Sequence, residues 1–345
     1  MEWKLSEEQE TYRDTFRDWL GDVASTEQVR RWQDEGDRTS FPDRLARDGW
    51  IGVGIPEERG GQGGGLVELA LTAEELGRSA APDSAWLATV LATYGLGELP
   101  DGTSTWLSPA DEPPSPAGLS VAANGSLSGM VPRVLAGADA RGFVVVVGEP
   151  GAYEVRHVEA GESVTLRDRK LLDRSRSVAD VAMESTPSTL LEVDAAEAMG
   201  RAADVAAVLV AADALGAMER MLELAVEYSL QRHQFGVPIG SFQAVKHAAA
   251  TIEVDVEAGR SAVYFAAASV EAGLPEASLH AAAVKAQVTA AAARASDVAL
   301  TMHGAIGYTW EHDLHLFYKR AKLDEHLSGA PALWNERIAD GLSLV

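Results

Sequence analysis

Arg232-His233-Gln234-Phe235-Gly236-Val237-Pro238-Ile239-Gly240-Ser241-Phe242-Gln243-Ala244-Val245-Lys246-His247 is the stretch on which the reading of this 345-residue chain turns. It opens a segment in which Phe242, Val245, Ala249, Ile252, Val256, Gly259 and Val263 advance by alternating steps of three and four. That spacing predicts a narrow helical seam whose small residues let neighbouring helices approach closely. Ala281 to Ala295 repeats the pattern with smaller side chains, so the region reads as the core of a four-helix bundle. A second junction, Met302-His303-Gly304-Ala305-Ile306-Gly307-Tyr308-Thr309-Trp310-Glu311-His312, also joins helices through glycine, where backbone N–H groups can meet a ligand. Arg232 offers a bidentate fork for pyrophosphate, Gln243 an amide and Phe235 an aromatic face. Each alone is a weak dinucleotide-site signal, and a solvated helix end explains it equally well.

Towards the N-terminus, Ser6 and Gln9 form a candidate capping box ahead of Tyr12, Phe16, Trp19 and Leu20 at helical spacing. Phe41-Pro42 opens a short helix ending near Gly49, and helical patterns run from Val67 to Gly77 and from Ser84 to Gly95. The glycine-rich Gly60 to Gly65 lacks the Lys-Ser/Thr of a phosphate loop and reads as a connection between helices. Four prolines between Ser108 and Pro116 forbid helix there and mark a linker. Beyond it, Phe143 to Val147, Tyr153 to Val155, Val164 to Leu166, Val178 to Met183 and Leu190 to Val193 read as short strands of a small antiparallel domain. The expected architecture is mixed but mainly α: helical domain 1–105, a shortened β-domain 106–196, and a four-helix bundle 197–345.

Composition narrows the chemistry. With 29 Lys+Arg against 52 Asp+Glu the formal charge is −23, which argues against nucleic acid or an anionic membrane as partner. The absence of cysteine rules out disulfides, thiolate metal sites and cysteine nucleophiles. His312 and His315 lack a third ligand at a recognised spacing, so no metal is expected. Neither a signal peptide nor an apolar run of membrane-spanning length is evident, and a cytoplasmic location is the default expectation.

Together the Arg232-x-x-Phe235-Gly236-x-x-Ile239-x-x-x-Gln243 pattern and the His303-Gly304-x-Ile306-Gly307-Tyr308-x-x-Glu311 segment closely resemble the acyl-CoA dehydrogenase family. The resemblance covers nearly the whole chain, in the order helical domain, β-domain, helical bundle. It implies an α,β-dehydrogenation of an acyl-CoA thioester with FAD as cofactor and an electron-transfer flavoprotein-type acceptor. It also implies that these segments reach across a subunit interface and hold a neighbour's FAD. Arg232, Gln234, Phe235 and Gln243 would touch its pyrophosphate and adenosine, with Thr301, Gly304 and Ala305 nearby. The family pattern has Gln where Thr301 stands and usually Gly where Ala305 stands.

The family's chemistry needs a carboxylate base in a dry pocket. By resemblance its usual position is Ser328, and an alternative on an earlier helix is Ala206, with Ala207 replacing an arginine. Ala330 and Ala332 replace the Thr and Gln that bind a subunit's own flavin. Glu325, three residues before Ser328 and about 4.5 Å away along a helix, is a possible substitute, though a solvated carboxylate is the plainer reading. Random drift would damage both halves of the site, yet here only the half lent to a neighbour is kept. The resulting expectation is a non-catalytic subunit, with no catalytic residue of its own, partnering a homologous subunit that carries the glutamate, as in the α2β2 dehydrogenases of bacterial steroid side-chain degradation. A homo-oligomeric flavoenzyme with a displaced base and a flavin-free scaffold remain alternatives.

Overall fold

The computed structural model describes residues 4–342. Helix α1 (Glu7–Val23) starts where Ser6 and Gln9 cap each other reciprocally. Helices α2 (Thr26–Glu35) and α3 (Ser40–Arg47) fold back onto it, packing Phe16 and Trp19 against Trp50 and Phe41 at ring-centroid distances of 5.0–6.2 Å. Helix α2 carries no periodic signal strong enough to single it out, since Val29 and Trp32 alone face inward. Helix α5 (Ser84–Leu96) is apolar on almost every side and buried accordingly, whereas α4 (Leu66–Ser79) also buries Glu74 and Glu75, paired with Arg260 and Arg17. The glycine-rich connection is packed against Ile55: a Cβ on Gly61 would lie 2.0 Å from the Ile55 carbonyl oxygen. The N-terminus of α4 already holds an internal anion, because Glu271 accepts from the N–H groups of Leu66 and Val67 at 2.9 and 3.4 Å.

The β-layer contains β1 (Ser104–Trp106), β2 (Ser120–Val121), β3 (Leu127–Leu135), β4 (Gly142–Val147), β5 (Glu154–Glu159), β6 (Val164–Arg169), β7 (Val178–Thr186) and β8 (Thr189–Leu190). They form two four-stranded sheets, β1-β4-β5-β8 and β2-β3-β7-β6. All pairs within these sheets are antiparallel except β1 with β4, which is parallel. Strand β4 shows why its run of valines is continuous. Phe143, Val145 and Val147 fill the space between the sheets, while Val144 and Val146 join the core shared with the helices. Strand β3 escapes sequence reading because Gly129 and Pro132 interrupt it; its pairing with β7 shifts register twice, between Leu127 and Gly129 and between Val131 and Val134, across Pro132.

The C-terminal layer consists of α6 (Ala195–Gln231), α7 (Gln243–Glu271), α8 (Ala277–His303), α9 (Leu314–Asp324) and α10 (Pro331–Gly341). The apolar seam of α7 runs from half-exposed Val245 to fully buried Val263. Helices α4 and α6 cross most closely: a Cβ on Gly77 would lie 2.0 Å from the Asp213 carbonyl oxygen, and one on Gly216 would lie 1.8 Å from that of Glu74. Gly77, expected to end a helix, instead sits inside α4 because the crossing needs bare backbone there. No helix of the described residues is long and apolar enough to cross a membrane.

Candidate functional site

The first predicted segment is not a plain loop. It forms a hairpin of β9 (His233–Gln234) and β10 (Val237–Pro238), with Gln234 paired to Val237. Two central residues remain, Phe235 with φ 53° and Gly236 with φ 80°. Positive φ at both central positions matches the twist of a tight hairpin, for which Asn-Gly is the usual choice. Phenylalanine in the left-handed region costs roughly 1–2 kcal/mol, and this one is also 93% exposed. A strained backbone presenting a bare aromatic ring is what a surface awaiting a ligand or partner displays. The ring stands edge-on to Phe242 at 6.2 Å.

Arg232 caps α6 with an extended backbone, its N–H donating to Tyr228 and its carbonyl accepting from Ile239, both at 2.8 Å. Its side chain is exposed, as are Gln234 and Gln243, the latter being the first residue of α7. The second segment comes to the same end of the bundle. A groove of about 390 Å³ separates Ala244, Val245 and Ala248 on α7 from Val298, Thr301 and Met302 on α8. Gly304 and Ala305 follow directly, exposed, in a 3-10 turn. The Thr301 hydroxyl is used within its own helix, donating to the Asp297 carbonyl at 2.8 Å. Tyr228 stacks on His303 at 4.9 Å and His312 meets His303 at 4.5 Å, tying the ends of α6 and α8 together. His315 points elsewhere, against Trp310 at 4.8 Å. Of the predicted residues only Thr301 lines this groove; Arg232, Gln234, Phe235 and Gln243 stand exposed on the hairpin and the start of α7, and Gly304 and Ala305 on the turn after α8. The exposed guanidinium and aromatic ring are groups that suit one half of a dinucleotide, while the Gly304 N–H is already given to the Leu300 and Thr301 carbonyls.

The position predicted for a base is built very differently. Ser328 is 5% exposed, in a left-handed turn with φ 55° followed by Gly329 at φ 101°. Its N–H donates to the Ala110 carbonyl at 2.7 Å, and its carbonyl accepts from the Trp334 indole at 2.9 Å. The proline-rich segment expected to be a linker therefore lies across this turn. Pro109, Ala110 and Pro114 share with Leu91, Thr105 and Ser328 a space of only about 20 Å³, enough for one water. A neighbouring apolar cavity of about 140 Å³ lies beyond Leu327, walled by Leu135, Leu171, Val178 and Leu323. Ala206 and Ala207 are wholly buried in α6.

Glu325 is not on a continuous helix with Ser328, since α9 ends at Asp324 and the chain turns. Its side chain is 30% exposed, 3.9 Å from His326, and it lines neither space. The residue that shapes this turn is Lys285, which sequence reasoning passed over as part of an alanine-rich core. Fully buried, its ammonium donates to the carbonyls of Asp324, Glu325 and Gly329 at 3.1, 3.5 and 2.8 Å. Burial pushes its pKa down to about 7. A lone lysine inside an apolar helix was the available signal.

This layered order of helical domain, β-layer and helical bundle is that of the flavin-linked acyl-CoA oxidoreductases. Residues 6–99 match the N-terminal domain and residues 196–343 the C-terminal domain of acyl-CoA dehydrogenases. The chain is 32% identical over 335 residues to acyl-CoA dehydrogenase IpdE2 of Mycolicibacterium smegmatis, covering 95% of this chain and 96% of that one. It is 33% identical over 280 residues to IpdE2 of Mycobacterium tuberculosis, covering 80% and 78%. The ChsE4-ChsE5 complex from Mycobacterium tuberculosis has the same fold, with TM-score 0.85 at 24% identity over all of both chains. The chain belongs to the acyl-CoA dehydrogenase family.

Proposed function

We propose that this chain is the non-catalytic subunit of a heteromeric acyl-CoA dehydrogenase, completing the FAD site of a homologous subunit that supplies the glutamate base. The observation that carries this reading is the Ser328 turn. It holds no carboxylate, it is pinned to Ala110, and only about 20 Å³ remain where an acyl group and a base would have to meet. A serine hydroxyl cannot take an α proton without a base of its own.

The opposite end of the bundle supports the other half of the reading. Arg232 would pair with the pyrophosphate of the partner's FAD, Phe235 and Gln243 would border the adenosine, and Gly304 and Ala305 would pack alongside. When bound, FAD accepts the hydride from the β carbon of the acyl-CoA. Steroid acyl-CoA is the favoured substrate class, as the resemblance to the α2β2 dehydrogenases of steroid side-chain degradation implies, and an electron-transfer flavoprotein-type protein would reoxidise the flavin. The assembly is a heterotetramer or dimer of dimers, closed by the exposed ends of α6 and α7.

The test is flavin content. The chain purified alone is expected to be colourless, and yellow when co-expressed with a homologue bearing the glutamate. Arg232→Ala should weaken FAD retention in the complex by about 1.5–3 kcal/mol. A chain that is yellow and dehydrogenates acyl-CoA by itself refutes the reading in favour of a displaced base. A chain colourless in both settings makes it a scaffold.

A further inference from the structure

Six charged side chains, none more than a few per cent exposed, meet beneath the Ser328 turn. Asp83 comes from the start of α5, Asp213 from α6, Asp173 and Arg176 from the β6–β7 connection, and Arg320 and Asp324 from α9. Arg320 reaches Asp173 at 2.7 Å, Asp213 at 3.0 Å and Asp83 at 3.4 Å, and also donates to the Ala81 carbonyl at 2.6 Å. Arg176 lies 3.2 Å from Asp83, 2.9 Å from Asp213 and 3.5 Å from Asp324, yet none of its N–H groups is aligned for a hydrogen bond. No N–H or hydroxyl donor reaches either Asp324 oxygen, yet Asp324 faces the Asp213 carboxylate within hydrogen-bonding reach, a contact that needs a proton on one of the two.

Two guanidiniums cannot neutralise four carboxylates, and an uncompensated buried charge is costly. The cluster reaches neutrality only if two carboxyls carry protons. Asp213, between the two arginines, is held below the usual carboxylate range against the cost of its burial. Burial pushes Asp83 up to about 7 and raises Asp324 well above its ordinary value, with the Asp213 charge adding to both. The other charged groups facing the cluster are Lys285 from α8, whose ammonium meets the Asp324 carbonyl, and Lys319 on the outer side of α9 towards Asp173.

We propose that this cluster is a proton-dependent latch, which holds the Ser328 turn shut while two of its carboxyls are protonated and releases it when those protons are lost. Asp324 is the last residue of α9, immediately before the turn. Its ionisation sets a second anion against Asp213, which the charges of Arg176 at 3.5 Å and Arg320 offset only in part. The strain is relieved by drawing the end of α9 away, which frees the Ser328 N–H from Ala110 and widens the cavity that Arg176, Leu323 and Leu327 line.

The sign separates this device from Lys285. Carboxyls with raised folded-state pKa values make stability fall as pH rises through those values, whereas the lysine, with its lowered pKa, makes stability rise over its own range. The experiment compares the full chain with Asp83→Asn/Asp324→Asn, by denaturant midpoint and by amide exchange across residues 325–330, at about pH 6 and about pH 9. In the natural chain, exchange at Ser328 and Gly329, corrected for intrinsic base catalysis, should quicken about tenfold or more, and the midpoint should fall relative to that of the double variant, which keeps Lys285 and its opposite contribution. The double variant should show no such quickening, and its midpoint should rise with the Lys285 contribution alone. Equal pH dependence in the two proteins, or no quickening of exchange in the natural chain, overturns the proposal. If the variant does not fold, infrared spectra of the natural chain decide. A protonated-carboxyl band sensitive to isotopic labelling of aspartate must be present at the lower pH and gone at the higher, and its absence at the lower pH refutes the latch.

Discussion

Replacing Gly216 by alanine sets two effects of opposite sign against each other. In the interior of a helix this change normally stabilises by roughly 0.5–1 kcal/mol, because glycine loses more backbone freedom on folding. At Gly216 the added methyl would lie 1.8 Å from the Glu74 carbonyl oxygen and 2.8 Å from the Arg78 nitrogen, atoms of α4's backbone that no rotamer change can move. Ordinary contact needs about 3.4 Å or more, so α4 and α6 would have to part by well over 1 Å along their closest approach. Overpacking of this kind costs typically 1–3 kcal/mol and here exceeds the gain in propensity, giving a net loss of about 1–2 kcal/mol or more. Gly200, exposed in the same helix with nothing within 4 Å of its would-be Cβ, supplies the matched control. Gly200→Ala should stabilise by roughly 0.5–1 kcal/mol. Urea midpoints at unchanged m-value measure both. A Gly216→Ala chain at least as stable as the natural one would refute the claim that bare backbone sets this crossing.

Glu325→Gln should leave turnover of the assembled complex within a few-fold, since losing a true general base costs about 10²–10⁴-fold; a thousandfold fall with flavin and assembly intact would identify a displaced base. Phe235→Gly should stabilise the isolated chain by about 1 kcal/mol by relieving the left-handed backbone, while weakening association with the partner in sedimentation or light scattering; unchanged association would remove the hairpin tip from the interface. Lys285→Met should abolish one component of the pH profile. The natural chain gains stability relative to this variant as pH rises from about 7 towards 10.5, because the buried ammonium is fully costly only below its lowered pKa. A stability difference constant over that range would show that the lysine titrates normally.

The helices that matter most were legible because their burial is periodic or total. The α7 seam, the apolar faces of α1 and the continuous valines of β4 each repeat a pattern that composition alone carries. Other elements depend on partners distant in the chain. Strand β3 is held by β7 despite a glycine and a proline within it, and α2 by the aromatic core it completes. The two motifs stand out in the sequence, but the hairpin that turns Phe235 outward became visible only in three dimensions. The closure over Ser328 was hidden for the same reason. A proline-rich stretch reads as solvated linker, and only its hydrogen bond to a residue more than two hundred positions later shows that it is a plug. The buried aspartates, arginines and lysine were likewise passed over, since sequence alone does not reveal which charged residues pair out of water.

The crossing of α4 with α6 also has a consequence for synthesis. Leu69, Ala70, Leu76 and their neighbours are fully buried, partly against a helix that leaves the ribosome roughly 140 residues later, a delay of about 7–28 s at bacterial elongation rates. The capping of α4 by Glu271 lengthens that wait further. During it the N-terminal helices expose an apolar face with nothing yet made to cover it. Nascent chains halted after the β-layer should therefore bind holdase chaperones, and release should coincide with the emergence of α6.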